Sequence, residues 1–170
     1  MADRLAAEMD LSFGALPIEV LVLRMIAAIV LGGVIGFERE RRGKDAGLRT
    51  HMLIAFASCL FLLISQALAE LPFSGASNVN VDPLRLVEAV TAGVAFLSAG
   101  LIFSRNGSVQ NVTTGASMWL SGAIGTACGV GQIGLAGLAT IMVVIVLAVI
   151  GRLERRLGSH VRGSTPDTRA

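Results

Sequence analysis

The sequence predicts an all-α, polytopic membrane protein: a helix bundle with about five transmembrane helices, N-terminus out and C-terminus in. Three observations carry this. Of 170 residues, 54% are hydrophobic and 15% charged, with 20 glycines, whereas a soluble domain carries about 25% charged residues. Five apolar stretches, residues 18–37, 52–69, 86–103, 112–130 and 133–150, each come close to the ~20 residues that a helix needs to cross ~30 Å of hydrocarbon. The basic residues also segregate. With the first loop and the C-terminal tail inside, 11 Lys and Arg lie on inner segments and only Arg4 and Arg85 on outer ones, the positive-inside pattern.

In chain order, residues 1–17 form a short outer segment in which Asp3, Glu8 and Asp10 outnumber Arg4. A cleaved signal peptide begins with a basic region, so the first span is expected to stay in the mature protein. Residues 18–151 hold the membrane domain and residues 152–170 a basic tail whose "GSTPDTRA" end has the composition of a disordered terminus. Between the first two spans runs "FERERRGKDAGLRTH", which packs eight of the 26 charged residues into twelve positions. Glu38 and Arg42 stand at i,i+4 with the acid first, so the first helix should continue one turn into water. Gly43 then frees the chain to turn, Asp45 is placed to cap the second helix, and Gly47 permits close backbone approach. The short turn brings the two helix ends together, so Arg49 is expected to grip Glu38 or Glu40 through two parallel hydrogen bonds. Residues 70–85 read as a turn-rich outer loop around Pro72, Gly75, Asn78 and Pro83, residues 104–111 as a short inner turn, and Gly131 with Gln132 barely separates the last two spans.

Lipid is as apolar as leucine, so helices in it associate through small residues that let backbones approach. Gly32 and Gly36 make such a face, as do Ala95 with Ala99, Gly93 with Gly100, and Ser121, Gly125 and Gly129. These faces fit contact within the chain or between copies. Arg24 lies within the first span and Glu88 early in the third. Each either snorkels outward, or the two form an ion pair inside the bundle, with Glu19 the other partner for Arg24. Thr91, Ser98, Thr113, Thr114, Ser117 and Ser121 can bond across helices or back to their own turn, the second being commoner. Trp119 sits deep enough to be a packing residue, and His51 lies at the membrane edge as a solvated or capping imidazole. Cys59 and Cys128 have neither disulfide nor zinc spacing and read as packing residues.

Three blocks together resemble the membrane domain of the MgtC/SapB family. "LGGVIGFERERRGKDAGLRTHMLIAFAS" is similar to that family's glycine-rich first helix, its ERE-type end and its AGLRTH segment. "DPLRLVEAVTAGVAFLSAGLIF" resembles the block around DP-R and GIGFLGAG, and "NVTTGASMWLSGAIGTACGVG" the TTAA-LW-AAIG block. Ala95, Ser98, Gly115 and Ala89 depart from the pattern. The chain ends soon after its fifth span, which resembles the short SapB-type form without the C-terminal cytosolic domain of longer members. The candidate functional or interaction residues are Arg24, Gly32, Gly36, Glu38, Arg39, Glu40, Gly47, Arg49, Thr50, His51, Asp82, Arg85, Glu88, Thr113, Thr114 and Trp119.

The resemblance implies a protein of the bacterial inner membrane, associated with magnesium limitation, acid adaptation and, in some members, effects on ATP synthase. The expectation is a non-enzymatic protein without cofactor or metal, acting through contacts with other membrane proteins and with copies of itself, and not with nucleic acid. ATP synthase or a transporter is the kind of partner implied. The rival is a cation transporter or channel. Magnesium prefers oxygen ligands, commonly carboxylates, and the only acids within the spans, Glu19 and Glu88, stand near the outer face. An intramembrane enzyme fits less well, since no Ser or Thr has an evident base deep in a span.

Overall fold

The computed structural model describes residues 16–69, 82–105 and 108–158. Most of the N-terminal segment and of the loop over residues 70–85, both expected on the outer side, and the end of the basic tail lie outside the described residues. Those residues form helices α1 (Ile18–Arg41), α2 (Leu48–Ala69), α3 (Pro83–Leu101), α4 (Val112–Gly129) and α5 (Ile133–Gly158). Strands β1 (Phe103–Arg105) and β2 (Ser108–Gln110) pair antiparallel between α3 and α4, with Ser104 opposite Val109. The ribbon replaces the simple turn expected there; three-residue strands are too short to show a period of two.

The all-α bundle is as predicted. Among the described residues α1, α2, α3 and α5 are long and apolar enough to cross a membrane. The protein is a multi-pass membrane protein. Helix α4 has 18 residues, but its Thr, Ser and Gly content keeps it off that group. The reason is its position: α4 packs against all four other helices and sits at the centre of the bundle.

The helix ends follow from two glycines. Past α1, Gly43 adopts φ +62°, and the amides of Gly43 and Lys44 donate to Glu40 O (2.9 Å) and Arg39 O (3.2 Å). Past α4, Gly131 adopts φ +85°, and Gly131 and Gln132 donate to Cys128 O (2.9 Å) and Ala127 O (2.8 Å). Both are Schellman closures, which need a left-handed residue that glycine supplies without a Cβ penalty. Helix α1 does run on through "ERER" before closing. At α3, Asp82 accepts from Leu84 N (3.0 Å) with proline in the first turn.

Two of the predicted small-residue faces are filled within the chain, and both press on α2. A Cβ at Gly32 would stand 2.7 Å from both Ala55 Cβ and His51 O, and one at Gly36 2.7 Å from Leu48 Cα. From the other side, a Cβ at Gly125 would overlap the Ala55 carbonyl, and one at Gly129 would reach Leu62 Cβ at 2.7 Å. Fully buried Ala55 and Cys59 are thus wedged between α1 and α4, in a core shared with Ala28, Ile35, Ile124 and Cys128. Helix α3 is held most loosely: 11% of its span is buried against 39% for α2. Nothing lies within 4 Å of a Cβ built at Gly93 or Gly100, and Ala95 and Ala99 are exposed.

Candidate functional site

The turn from α1 to α2 gathers most of the predicted residues at one end of the bundle. Glu38 is the hub. Arg39, only 2% exposed, places Nε and Nη2 on Glu38 Oε2 at 2.5 Å each, and Arg42 Nε closes on Glu38 Oε1. Arg42 Nη2 also donates to Ala148 O on α5 (3.1 Å), and a Cβ at Gly151 would overlap its guanidinium. The charge run therefore stitches α1 to α5.

Glu40 performs the role expected of Asp45. Its Oε2 accepts from Leu48 N (2.8 Å) and so caps α2 across the loop. A Cβ at Gly47 would sit 2.7 Å from that oxygen, which is why glycine stands there. Asp45 instead accepts from Asn111 Nδ2 (2.6 Å) and ties the loop to the start of α4. The expected grip of Arg49 on Glu38 or Glu40 is not formed among the described residues: those acids are taken, and Arg49 is exposed. Thr50 is half-buried beside it.

His51 is fully buried rather than solvated. Its Nδ1 donates to Gly47 O (2.8 Å), and its Nε2 meets Ser117 Oγ of α4 at 3.0 Å. The Ser117 hydroxyl also lies 2.8 Å from Thr114 O, and Thr114 is itself buried. The first and third sequence blocks thus meet through His51–Ser117 and Asp45–Asn111. Thr113 stays exposed, beside Arg39, Arg42 and Lys44, on a cavity of about 350 Å³.

The opposite end holds Arg24. The interior pair with Glu88 is not formed: Glu88 is exposed on α3, and Arg24 Nη1 donates to Gly129 O (2.8 Å) and to Gln66 Oε1 (3.4 Å). Gln66 Nε2 also donates to Gly129 O (3.3 Å). A cation over the last carbonyls of α4 is favourably placed for that helix's dipole. Arg85 stands 3.9 Å from Asp82, both well exposed. Trp119 is 44% exposed and so projects out of the bundle instead of packing within it. Ser121 bonds back to Ser117 O (3.1 Å) as expected, and Thr126 to Gly122 O (3.0 Å) and Thr140 to Ala136 O (2.8 Å) do the same, whereas the buried Ser98 hydroxyl has no partner among the described residues.

The sequence singled out neither Gln66 nor Asn111 as a partner, and it left open whether Ser117 bonds across helices or to its own turn; its hydroxyl lies within reach of both. Gln66 had a signal, being an amide inside a span at the end where Arg24 lies. Asn111 had one too, directly before the helix that opens "VTTG".

The MgtC family model matches residues 25–156. YhiD of Escherichia coli (strain K12), which carries the name of a candidate magnesium transporter, is 39% identical over 137 residues, covering 80% of this chain and 63% of YhiD. Protein MgtC of Brucella abortus (strain 2308) is 37% identical over 133 residues, 78% of this chain and 52% of that protein. The chain thus spans about half to just under two thirds of the length of these relatives. No solved structure matches it. Over a match that takes in three of its helices whole and most of the other two, this chain belongs to the MgtC family.

Proposed function

We propose that the chain is a non-enzymatic protein of the bacterial inner membrane that supports magnesium, acid or energy homeostasis by contacting other membrane proteins. ATP synthase or a transporter is the class of partner, and the α1–α2 turn the contacting element. The observation that carries this reading is how charge is allotted in that turn. Glu38, Glu40 and Asp45 are each bonded inside the chain. Arg41, Lys44 and Arg49 are exposed and, among the described residues, have no acid within salt-bridge distance. Such a surface suits an acidic partner near the membrane face.

Family membership and the name of YhiD support the magnesium connection. The rival reading, a cation transporter, draws on the same name. Against it, the cavity at the charged end is lined, among the described residues, by three bases and no acid, the wrong sign for a divalent cation. Self-association belongs to the proposal as well. The groove between α2 and α3, about 670 Å³, is lined by Ser58, whose buried hydroxyl has no partner among the described residues. A second copy packing there would supply one.

Purified protein in liposomes loaded with a magnesium-sensitive dye is expected to pass no more Mg²⁺ than protein-free liposomes, while cross-linking in native membranes captures a membrane protein through the α1–α2 turn. Flux above background would establish the transporter. The orientation, N-terminus out and C-terminus in, is checked by cysteines at Ser77 and Ser164 in a variant lacking Cys59 and Cys128: an impermeant reagent applied to the periplasmic face should label position 77 alone.

A further inference from the structure

The 350 Å³ cavity at the charged end lies between the end of α1, the start of α4 and the last turns of α5. Its lining divides by chemistry. Arg39, Arg42, Lys44 and Thr113 form one side, while Val146 and Ile150 stand on the apolar other. No acid lines it. Glu38 offsets one charge of the Arg39 and Arg42 pair from behind, so the cavity keeps a surplus of positive charge that an anion would relieve.

The basic side is built. Arg42 is fixed by the Ala148 carbonyl and by the space that Gly151 leaves for its guanidinium, and Arg39 is held rigidly on Glu38. The adjoining start of α4 adds to the field: Asn111 makes no side-chain cap there, because its amide is turned to Asp45 and to Leu101 O, which leaves the positive end of that helix dipole without a side-chain acceptor. The apolar side faces out of the bundle. Val146 and Ile150, one turn apart on α5, are each 50% exposed, and the apolar span of α5 ends at Arg152. Cations and exposed aliphatic surface therefore meet where α5 leaves the hydrocarbon, at the depth of the lipid headgroups.

We propose that this cavity binds an anionic phospholipid, its phosphate on Arg39, Arg42 and Lys44 and one acyl chain along Val146 and Ile150. Guanidinium and ammonium groups hold phosphate oxygens through charge-assisted hydrogen bonds, and basic pockets between transmembrane helices take anionic headgroups. Free phosphate shares the headgroup chemistry but has no use for the aliphatic wall.

Native mass spectrometry of the full chain in detergent tests this, with dioleoylphosphatidylglycerol, dioleoylphosphatidylethanolamine and inorganic phosphate as probes. Phosphatidylglycerol should be retained in preference to phosphatidylethanolamine. Lys44→Gln, at an exposed position that the fold does not depend on, should lower that preference about five-fold, whereas Arg152→Gln, exposed at the same end but outside the cavity, should not. Ile150→Ser should weaken phosphatidylglycerol retention without affecting phosphate. Equal retention of the two lipids would overturn the proposal, as would equal losses for Lys44→Gln and Arg152→Gln, which mark diffuse attraction. Displacement of the lipid by phosphate, with Ile150→Ser silent, would make this a free-anion site and overturn the lipid assignment.

Discussion

Helices α3 and α4 both carry small residues at three- and four-residue spacing, yet α4 is closed in by every other helix while α3 leaves most of its surface open. The difference lies in what accompanies the small residues. On α4 they share a face with hydroxyls: Ser117, Ser121, Gly125 and Gly129 are all buried, and the hydroxyls are satisfied within the bundle. On α3 they alternate with large apolar side chains that face outward, Phe96 at 81% exposure and Leu97 at 56%. A small-residue stripe thus marks where a backbone can approach, and the polar groups beside it tell whether one does.

The sharpest break in that comparison comes from adding bulk. Gly125→Val drives a branched side chain into the Ala55 carbonyl and is expected to cost about 3 kcal/mol or more, seen as loss of folded protein and a lowered Tm in detergent. Gly93→Val enters open space and should stay within about 0.5 kcal/mol. If instead it disperses a cross-linkable oligomer, α3 is where copies meet.

A smaller effect separates the two charges once expected to pair. Arg24→Met deprives Gly129 O of its cation and should cost about 2 kcal/mol in unfolding measurements. Glu88→Ala, on the exposed side of α3, should cost at most about 0.5 kcal/mol. Because they share no partner, the double variant should be additive within about 0.5 kcal/mol. Coupling beyond that would restore the ion pair.

Smaller still, Glu40→Ala removes the cap on Leu48 N and should lower stability by about 1 kcal/mol. Arg49→Lys, which keeps the charge at an exposed position, should leave stability within about 0.5 kcal/mol. Its growth phenotype in low magnesium then sorts the remaining roles. Failure at normal abundance assigns the Arg49 guanidinium to a partner, and full support leaves it a topological anchor.

Composition, hydropathy and two glycines made much of the fold legible. Five apolar runs became five helices, and Gly43 and Gly131 closed α1 and α4. The partners of the charges were not legible, for a physical reason. Arg24 and Arg42 spend hydrogen bonds on the carbonyls of Gly129 and Ala148, more than 100 residues away, and a backbone carbonyl leaves no trace in residue identity. Carboxylates do leave one, which drew the sequence reading to Glu88 for Arg24 and to Glu38 or Glu40 for Arg49. Glu40 takes the cap expected of Asp45 because both acids flank the same turn, and only its three-dimensional path shows which one reaches Leu48 N.

The buried imidazole between α2 and α4 has a consequence at the level of single hydrogens. The Gly47 carbonyl can only accept, so Nδ1 carries the ring proton and a neutral His51 presents a lone pair at Nε2. Ser117 has one hydrogen and two acceptors within reach, that lone pair and the Thr114 carbonyl. Turned toward His51, the hydroxyl couples the two helices; turned toward Thr114, it leaves the ring nitrogen facing an oxygen lone pair. The junction between the first and third blocks is a two-position rotor, and the ¹⁵N shift of His51 Nε2 reads its setting.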